Sequence, residues 1–155
     1  MAINDFEIAR VAHVLAVVMW IGGVAFVTMV IMPVIRRRYP PNDRLATFRT
    51  FEGPFSLLAR IWVTLAGASG AWMLWRGHLW PLLVEPRFWW LDAMVLLWLA
   101  FAAMLYVIEP IAHRAHPAQW PREKAFGQLE KAHRLALTAA LITIAGAVAG
   151  SHGLL

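Results

Sequence analysis

The chain has 155 residues, 61% of them apolar and 15% charged, where ordinary globular domains run roughly 45–50% apolar and about 25% charged. A soluble domain of this length has too little interior for so much apolar side chain, so the composition points to an integral membrane protein of one domain. The absence of cysteine excludes disulfide scaffolds, Cys-ligated zinc, iron–sulfur clusters and thiol catalysis. A net charge of +5 is compatible with nucleic acid, but nine tryptophans set mostly in apolar runs point to lipid.

A helix of about 20 apolar residues crosses a hydrocarbon core about 30 Å thick. Four segments reach or approach that length. The first covers about 9–35 and is interrupted only by Gly22, Gly23, Thr28 and Pro33. It is about twice as long as a signal-peptide core and lacks a small-x-small cleavage site after it, so it reads as a retained span. The second, 54–76, begins at Pro54 and carries Arg60 one turn inside. The third, 88–109, has Asp92 near its start and Glu109-Pro110 at its end. The fourth, 122–150, joins a polar helical lead-in to the apolar run Leu135 to Gly150. The connections 36–53, 76–87 and 112–121 hold most of the Pro, Arg and His and read as loops. The expected fold is all-α, an up-down four-helix bundle integral to the membrane, with one domain over 1–155.

Basic residues orient it. Arg36, Arg37, Arg38, Arg44, Arg49, Arg60, Arg114, Arg122, Lys124, Lys131 and Arg134 share one side, and only Arg10, Arg76 and Arg87 fall on the side of the termini. The positive-inside rule puts both termini outside, on the periplasmic face of a bacterial inner membrane. The basic cluster is then a topology signal and a contact for anionic lipid, and nucleic acid is not expected. Trp72, Trp75, Trp80, Trp89 and Trp90 near the outer interface fit an aromatic belt and equally fit contacts within a homo-oligomer or larger complex. The run Ala66-Gly67-Ala68-Ser69-Gly70 and the pair Gly146/Gly150 allow close helix approach. The simpler reading is packing alone; the functional one is room for a flat cofactor.

Ionisable groups within a span are functional candidates by default. His13 lies one turn inside the first span and shares a face with Val17, Trp20 and Val24. A neutral imidazole in hydrocarbon needs an acceptor for its N–H and a partner for its lone pair; iron satisfies the second, and a hydrogen bond to a neighbouring helix is the plainer alternative. His133 belongs to the stripe Phe126, Leu129, His133, Ala136 and Ala140, with Glu123, Glu130 and Arg134 expected on the opposing face. Lys131 and Arg134 beside it suit carboxylates such as propionates. His113, just past Pro110, is level with His133, and the two could bracket one iron; His116 competes for that role. His78 and His152 are edge residues level with His13. Met94, one turn into the third span at the depth of His13, is a soft ligand or core filler. Arg60, Glu109 and Asp92 read first as ion-paired or interfacial groups, with proton delivery as the functional alternative.

The stretch Ala12-His13-Val14-Leu15-Ala16-Val17-Val18-Met19-Trp20-Ile21-Gly22-Gly23, a first-helix histidine followed by Trp-x-Gly-Gly, resembles the CopD-type membrane domain and the related HemJ-type four-helix protoporphyrinogen oxidases. Arg49-Thr50-Phe51-Glu52-Gly53-Pro54, Leu105-Tyr106-Val107-Ile108-Glu109-Pro110 and the small-residue-rich fourth helix extend the likeness. The resemblance implies a four-helix bundle binding b-type haem through His13, with redox or copper-related roles. The oxidase branch carries Trp-Leu-His-Ala-Lys at the start of helix three; here the stretch is Trp90-Leu91-Asp92-Ala93-Met94, so its His and Lys are both absent and Met94 stands in place of the Lys.

Three functions follow as expectations. The first is a membrane haem protein with one or two b-type haems, ligated by His13, His113, His133 and Met94 in some combination, moving electrons between a periplasmic partner and quinone. The second is copper transport or tolerance, since thioether and imidazole suit copper, although the seven methionines form no dense MxxM clusters. The third is an accessory subunit of a larger membrane complex.

Overall fold

The computed structural model describes residues 4–114 and 122–154. These are helical almost throughout, with no strand among them. Asn4 caps the first helix, α1 (Asp5–Phe26), accepting the Phe6 N–H at 3.1 Å, and Asp5 and Glu7 lie in the first turn, where the helix dipole favours negative charge. A π turn, Val27–Ile31, leads into α2 (Met32–Arg38), whose last turn carries Arg36, Arg37 and Arg38. Helix α3 (Pro41–Arg76) follows, opened by a proline in its first turn. Two short 3-10 turns, Trp80–Leu82 and Pro86–Phe88, lead to α4 (Trp89–Ala103). A second π turn, Met104–Ile108, joins it to α5 (Glu109–Arg114), and α6 (Arg122–Ser151) completes the described chain.

The two π turns share a cause. Each ends two residues before a proline, Pro33 or Pro110. A proline ring inside a helix meets the carbonyl four residues back and leaves it without an N–H donor. Widening the preceding turn relieves that clash without ending the helix. The result is four rods long and apolar enough to cross a membrane: Asp5–Arg38, Pro41–Arg76, Pro86–Ile111 and Lys124–Ser151.

The rods are longer than the apolar runs alone indicated, most of all the second. Residues 36–53, expected as a loop, belong mostly to helix, because α3 begins at Pro41 and runs through Pro54 for 36 residues. The reason is Phe48, 3% exposed, which packs into a cluster with Val27, Met32, Ile35 and Phe126. Burial of that one ring gives the polar stretch a reason to continue as helix. Of the expected loop 112–121, residues up to Arg114 are helical, and 115–121 lie outside the described residues.

Cross-bundle pairs establish the up-down order. Asp5 meets Arg76, His13 meets Ala66 and Gly23 faces Phe55, so α1 and α3 are antiparallel. Val63 meets Trp98 and Ser56 meets Glu109, so α3 and the α4–α5 rod are antiparallel; the start of α4, at Trp89 and Trp90, faces Gly146 and Gly150 near the end of α6, while Leu105 further along that rod shares the core with Leu137, so these two rods are antiparallel as well. The main core lies midway along the bundle, around Ala16, Trp20, Val24, Val63, Leu137 and Ala140.

Most glycines of the small-residue runs are seats for this chain's own rings. A Cβ at Gly67 would land inside the indole of Trp98, at Gly146 inside that of Trp89, and at Gly150 inside that of Trp90. The space the small residues leave between helices is thus taken by aromatic side chains. Trp90 is accordingly buried rather than part of an exposed belt, whereas Trp72, Trp75 and Trp80 are exposed.

Candidate functional site

His13 turns inward from α1 onto α3. Its Nδ1 lies 2.9 Å from the backbone carbonyl of Ala66 and 3.2 Å from the Ser69 hydroxyl. A carbonyl only accepts, so Nδ1 carries the proton and Nε2 holds the ring's lone pair. Ser69 donates its own proton to the Leu65 carbonyl at 2.6 Å, leaving its oxygen free to accept from His13. Gly70 makes room for the ring: a Cβ there would stand 3.2 Å from the imidazole Cε1 and 3.4 Å from Nδ1. The imidazole is therefore clamped along its Nδ1 edge against α3. Its Nε2, on the opposite edge, has no hydrogen-bond partner among the described residues.

Sequence reasoning identified His13 but not the groups that hold it. The signal was available: a serine within an alanine–glycine run of an apolar span is a polar group needing a reason, and Ser69 sits in such a run.

His133 is held differently, by its own helix. Its Nδ1 donates to the Leu129 carbonyl at 3.0 Å, and the ring stands edge-to-face with Phe48 at 5.7 Å between centroids. Here too the lone pair is on Nε2. Because His13 contacts α3 around residues 66–70 and His133 contacts it at Phe48, the two histidines are separated by about 30 Å of helix. They do not form one site.

The expected opposing face of α6 is corrected. Glu130 is 3% exposed and lies on the buried side with Phe126, four residues earlier. It is tolerated there because Arg36 of α2 and Arg134 of its own helix both donate to its carboxylate. A buried carboxylate with two guanidinium partners keeps its charge compensated. Arg134 is thereby engaged with Glu130.

Met94 lies half-buried on α4. Since Trp98 faces Gly67 and the helices run oppositely, Met94, one turn before Trp98, is level with Gly70 and hence with His13. His113 lies on α5, its side chain outside the described part of the structure, and His116 lies outside the described residues. His78 is exposed on the turn after α3, with φ of 51°, and His152 is exposed at the end of α6, bonding back to the Val148 carbonyl at 2.8 Å. No group of three or more His, Asp or Glu suited to a metal ion occurs among the described residues.

Arg60, Glu109 and Asp92, the charged candidates of the second and third spans, each have a partner. Arg60 lies 3.6 Å from Glu109, and the Ser56 hydroxyl is 2.7 Å from both oxygens of that carboxylate. Tyr106 bonds Thr64 at 2.6 Å and the Arg60 carbonyl at 3.1 Å. Asp92 accepts the backbone N–H of Val84, a residue held at φ 65°, and so secures the turn before α4.

The donor chemistry at His13 fits an axial ligand to haem iron. Such a histidine binds through one nitrogen and gives the other N–H to a fixed acceptor, which sets the tautomer and raises basicity. Ala66 is that acceptor. Comparisons with protein-family models, with curated proteins and with solved structures found no match for this chain.

Proposed function

We propose that the chain crosses a bacterial inner membrane four times and holds b-type haem through Nε2 of His13, as an electron-transfer protein. The observation that carries this reading is the tautomer of His13, with Nδ1–H given to the Ala66 carbonyl and a free lone pair opposite. The resemblance of the His13-to-Gly23 stretch to the CopD and HemJ types supports it. Bound there, haem would supply a one-electron couple. The chain's own residues bind and orient: Ala66 and Ser69 hold the ring, Gly70 lets it approach, and Trp98 closes the neighbouring gap at Gly67. Met94, level with His13, would be a further ligand to that haem, and His133 with His113 would hold a second haem at the basic end. The reading has electrons pass between a periplasmic partner and quinone.

Membrane insertion is supported by the four apolar rods and by the exposure of Val14, Leu15, Val18, Leu58, Ile61, Leu141 and Ile142 along their faces. With both termini periplasmic, the basic end, including exposed Arg37, Arg38 and Arg49, faces anionic lipid on the cytoplasmic side. At 36 residues, α3 is about 54 Å long, so its first turns extend beyond the hydrocarbon there.

The test of the haem is an absorption spectrum of the purified protein, oxidised and dithionite-reduced. The expected result is a Soret band with b-type reduced peaks, of which one component is lost in His13→Ala. A preparation made under haem-sufficient expression with no Soret band, or a His13→Ala spectrum identical to wild type, overturns it. The natural absence of cysteine makes topology directly testable. A membrane-impermeant maleimide on spheroplasts should label Gly153→Cys and spare Asp43→Cys.

A further inference from the structure

We infer that the shallow groove between α3 and the third rod seats one anionic phospholipid, its phosphate on the guanidinium of Arg60 and an acyl chain along α3. The groove measures about 460 Å³, and Arg60, Ile61, Thr64, Leu65, Ala68 and Tyr106 are among the residues that line it. Among the described residues, Arg60 is the only charged one in that lining. Its guanidinium stands in the groove: Cζ lies 6.0 Å from the centre of the Tyr106 ring, and the side chain is 36% exposed. A guanidinium has five N–H donors. None of these makes a hydrogen bond among the described residues. Nε is sealed in, whereas the terminal nitrogens, equally unbonded, are accessible. Glu109 stands 3.6 Å from Nη2, near enough to pair charge but beyond hydrogen-bond reach, and it does not line the groove.

The hydroxyls nearby do not answer that need. Thr64 and Tyr106 bond each other at 2.6 Å and the Arg60 carbonyl at 2.7 Å and 3.1 Å, so their protons are spent on one another and on backbone. They fix the Tyr106 ring as a wall and leave the guanidinium as the donor. Depth then selects the acceptor. Arg60 lies about 24 Å along α3 from Arg76 at the terminal end. A hydrocarbon core about 30 Å thick that begins near Arg76 ends about one turn beyond Arg60, toward the basic end. Helical side chains lean toward the N-terminus, here toward that boundary, so the guanidinium reaches the level of lipid headgroups. In the opposite direction Ile61, Leu65 and Ala68 continue the groove as an exposed apolar strip, about 12 Å from Arg60 toward the bilayer centre. Charge at the interface and a tail running inward is the layout of a phospholipid. Phosphate oxygens match the guanidinium fork, and an anionic lipid brings no ammonium of its own to compete for them. The site rests on the membrane-spanning reading above, and not on haem.

The experiment uses the full chain in mild detergent, titrated separately with dioleoyl-phosphatidylglycerol and dioleoyl-phosphatidylcholine, with bound lipid counted by native mass spectrometry. Wild type should retain one phosphatidylglycerol about tenfold more tightly than phosphatidylcholine, the share of a charged hydrogen bond. Arg60→Gln should lose that preference, and Arg60→Lys, which keeps the charge without the fork, should fall between. Ala68→Trp fills the tail end of the groove from an exposed position, and should weaken both lipids with the melting temperature unchanged. Arg38→Gln, exposed at the same end of the bundle, should bind as wild type. The inference is overturned if wild type shows no preference, if Arg38→Gln lowers it as much as Arg60→Gln, or if glycerol 3-phosphate displaces the lipid, which would make Arg60 a phosphate site without a tail seat. Release of the chain from membranes by alkaline carbonate overturns the membrane-spanning reading itself; a chain that stays inserted and shows no preference counts against the lipid site alone.

Discussion

His13 and Ala66, 53 residues apart in sequence, are joined by one hydrogen bond of 2.9 Å, and that bond selects which imidazole nitrogen is left to act. With Nδ1–H committed to the carbonyl, Nε2 is the ring's single lone pair. The clamp has two further parts, the Ser69 hydroxyl and the bare Cα of Gly70, and they differ in what their loss does.

Gly70→Leu should displace the ring. Its Cβ alone would come within 3.2 Å of His13, and the rest of the side chain would force the imidazole off the Ala66 carbonyl. The expected cost is about 1–3 kcal/mol in stability, with loss or weakening of the His13-dependent Soret component. Ser69→Ala removes the weaker 3.2 Å contact and leaves the carbonyl bond, so the spectrum should persist with at most a small shift. Thermal unfolding and absorption spectra of the two variants check both.

The buried carboxylate of Glu130 ties the first rod to the last. Arg36→Ala and Glu130→Ala in a double-mutant cycle should show a coupling of about 1–3 kcal/mol, because Glu130 is shielded although Arg36 is half exposed. The intrahelical pair Arg134 with Glu130 should couple more weakly, by about 0.5 kcal/mol. Denaturation in mixed micelles gives both numbers.

Gly67 and Trp98 should behave as one unit. Trp98→Phe loses the 2.8 Å bond to the Val63 carbonyl and should cost about 1 kcal/mol. Gly67→Ala drives a methyl group into the indole and should cost about 1–3 kcal/mol. The double variant should be more stable than the sum of the two, since the smaller ring yields to the added methyl. Additive costs would show that the ring is seated elsewhere.

The Asp5–Arg76 pair is the contrasting case. Its 2.8 Å bond closes the terminal end of α1 on α3, yet both side chains are about half exposed. Arg76→Ala should change stability by less than about 1 kcal/mol, and that small effect should fade as salt is raised. Unfolding at low and high ionic strength measures it.

Much of the architecture was legible in the residues as written. Four apolar runs of near-spanning length foretold four rods, and the polarity of Arg60 and Glu109 foretold their pairing across α3 and the third rod. His13 stood out because an imidazole among Val, Leu and Ala must find partners. The start of α3 was not legible: residues 41–53 read as loop until Phe48 is seen among Val27 and Ile35 of the first rod and Phe126 of the last. Glu130 was misplaced for a related reason, since its burial depends on Arg36 reaching it from a helix 94 residues away in sequence.

What the chain determined on its own was thus everything local: apolar length, prolines that widen a turn, the caps, and the presence of small residues where helices meet. Periodicity and propensity act over a few residues, and those features need no more. Only the tertiary structure decided which ring fills which glycine seat, which nitrogen of His13 keeps its lone pair, and that Glu130 is buried between two guanidinium groups. Each of these depends on the meeting of side chains with backbone atoms of other helices, a matter of three-dimensional packing that no stretch of sequence contains.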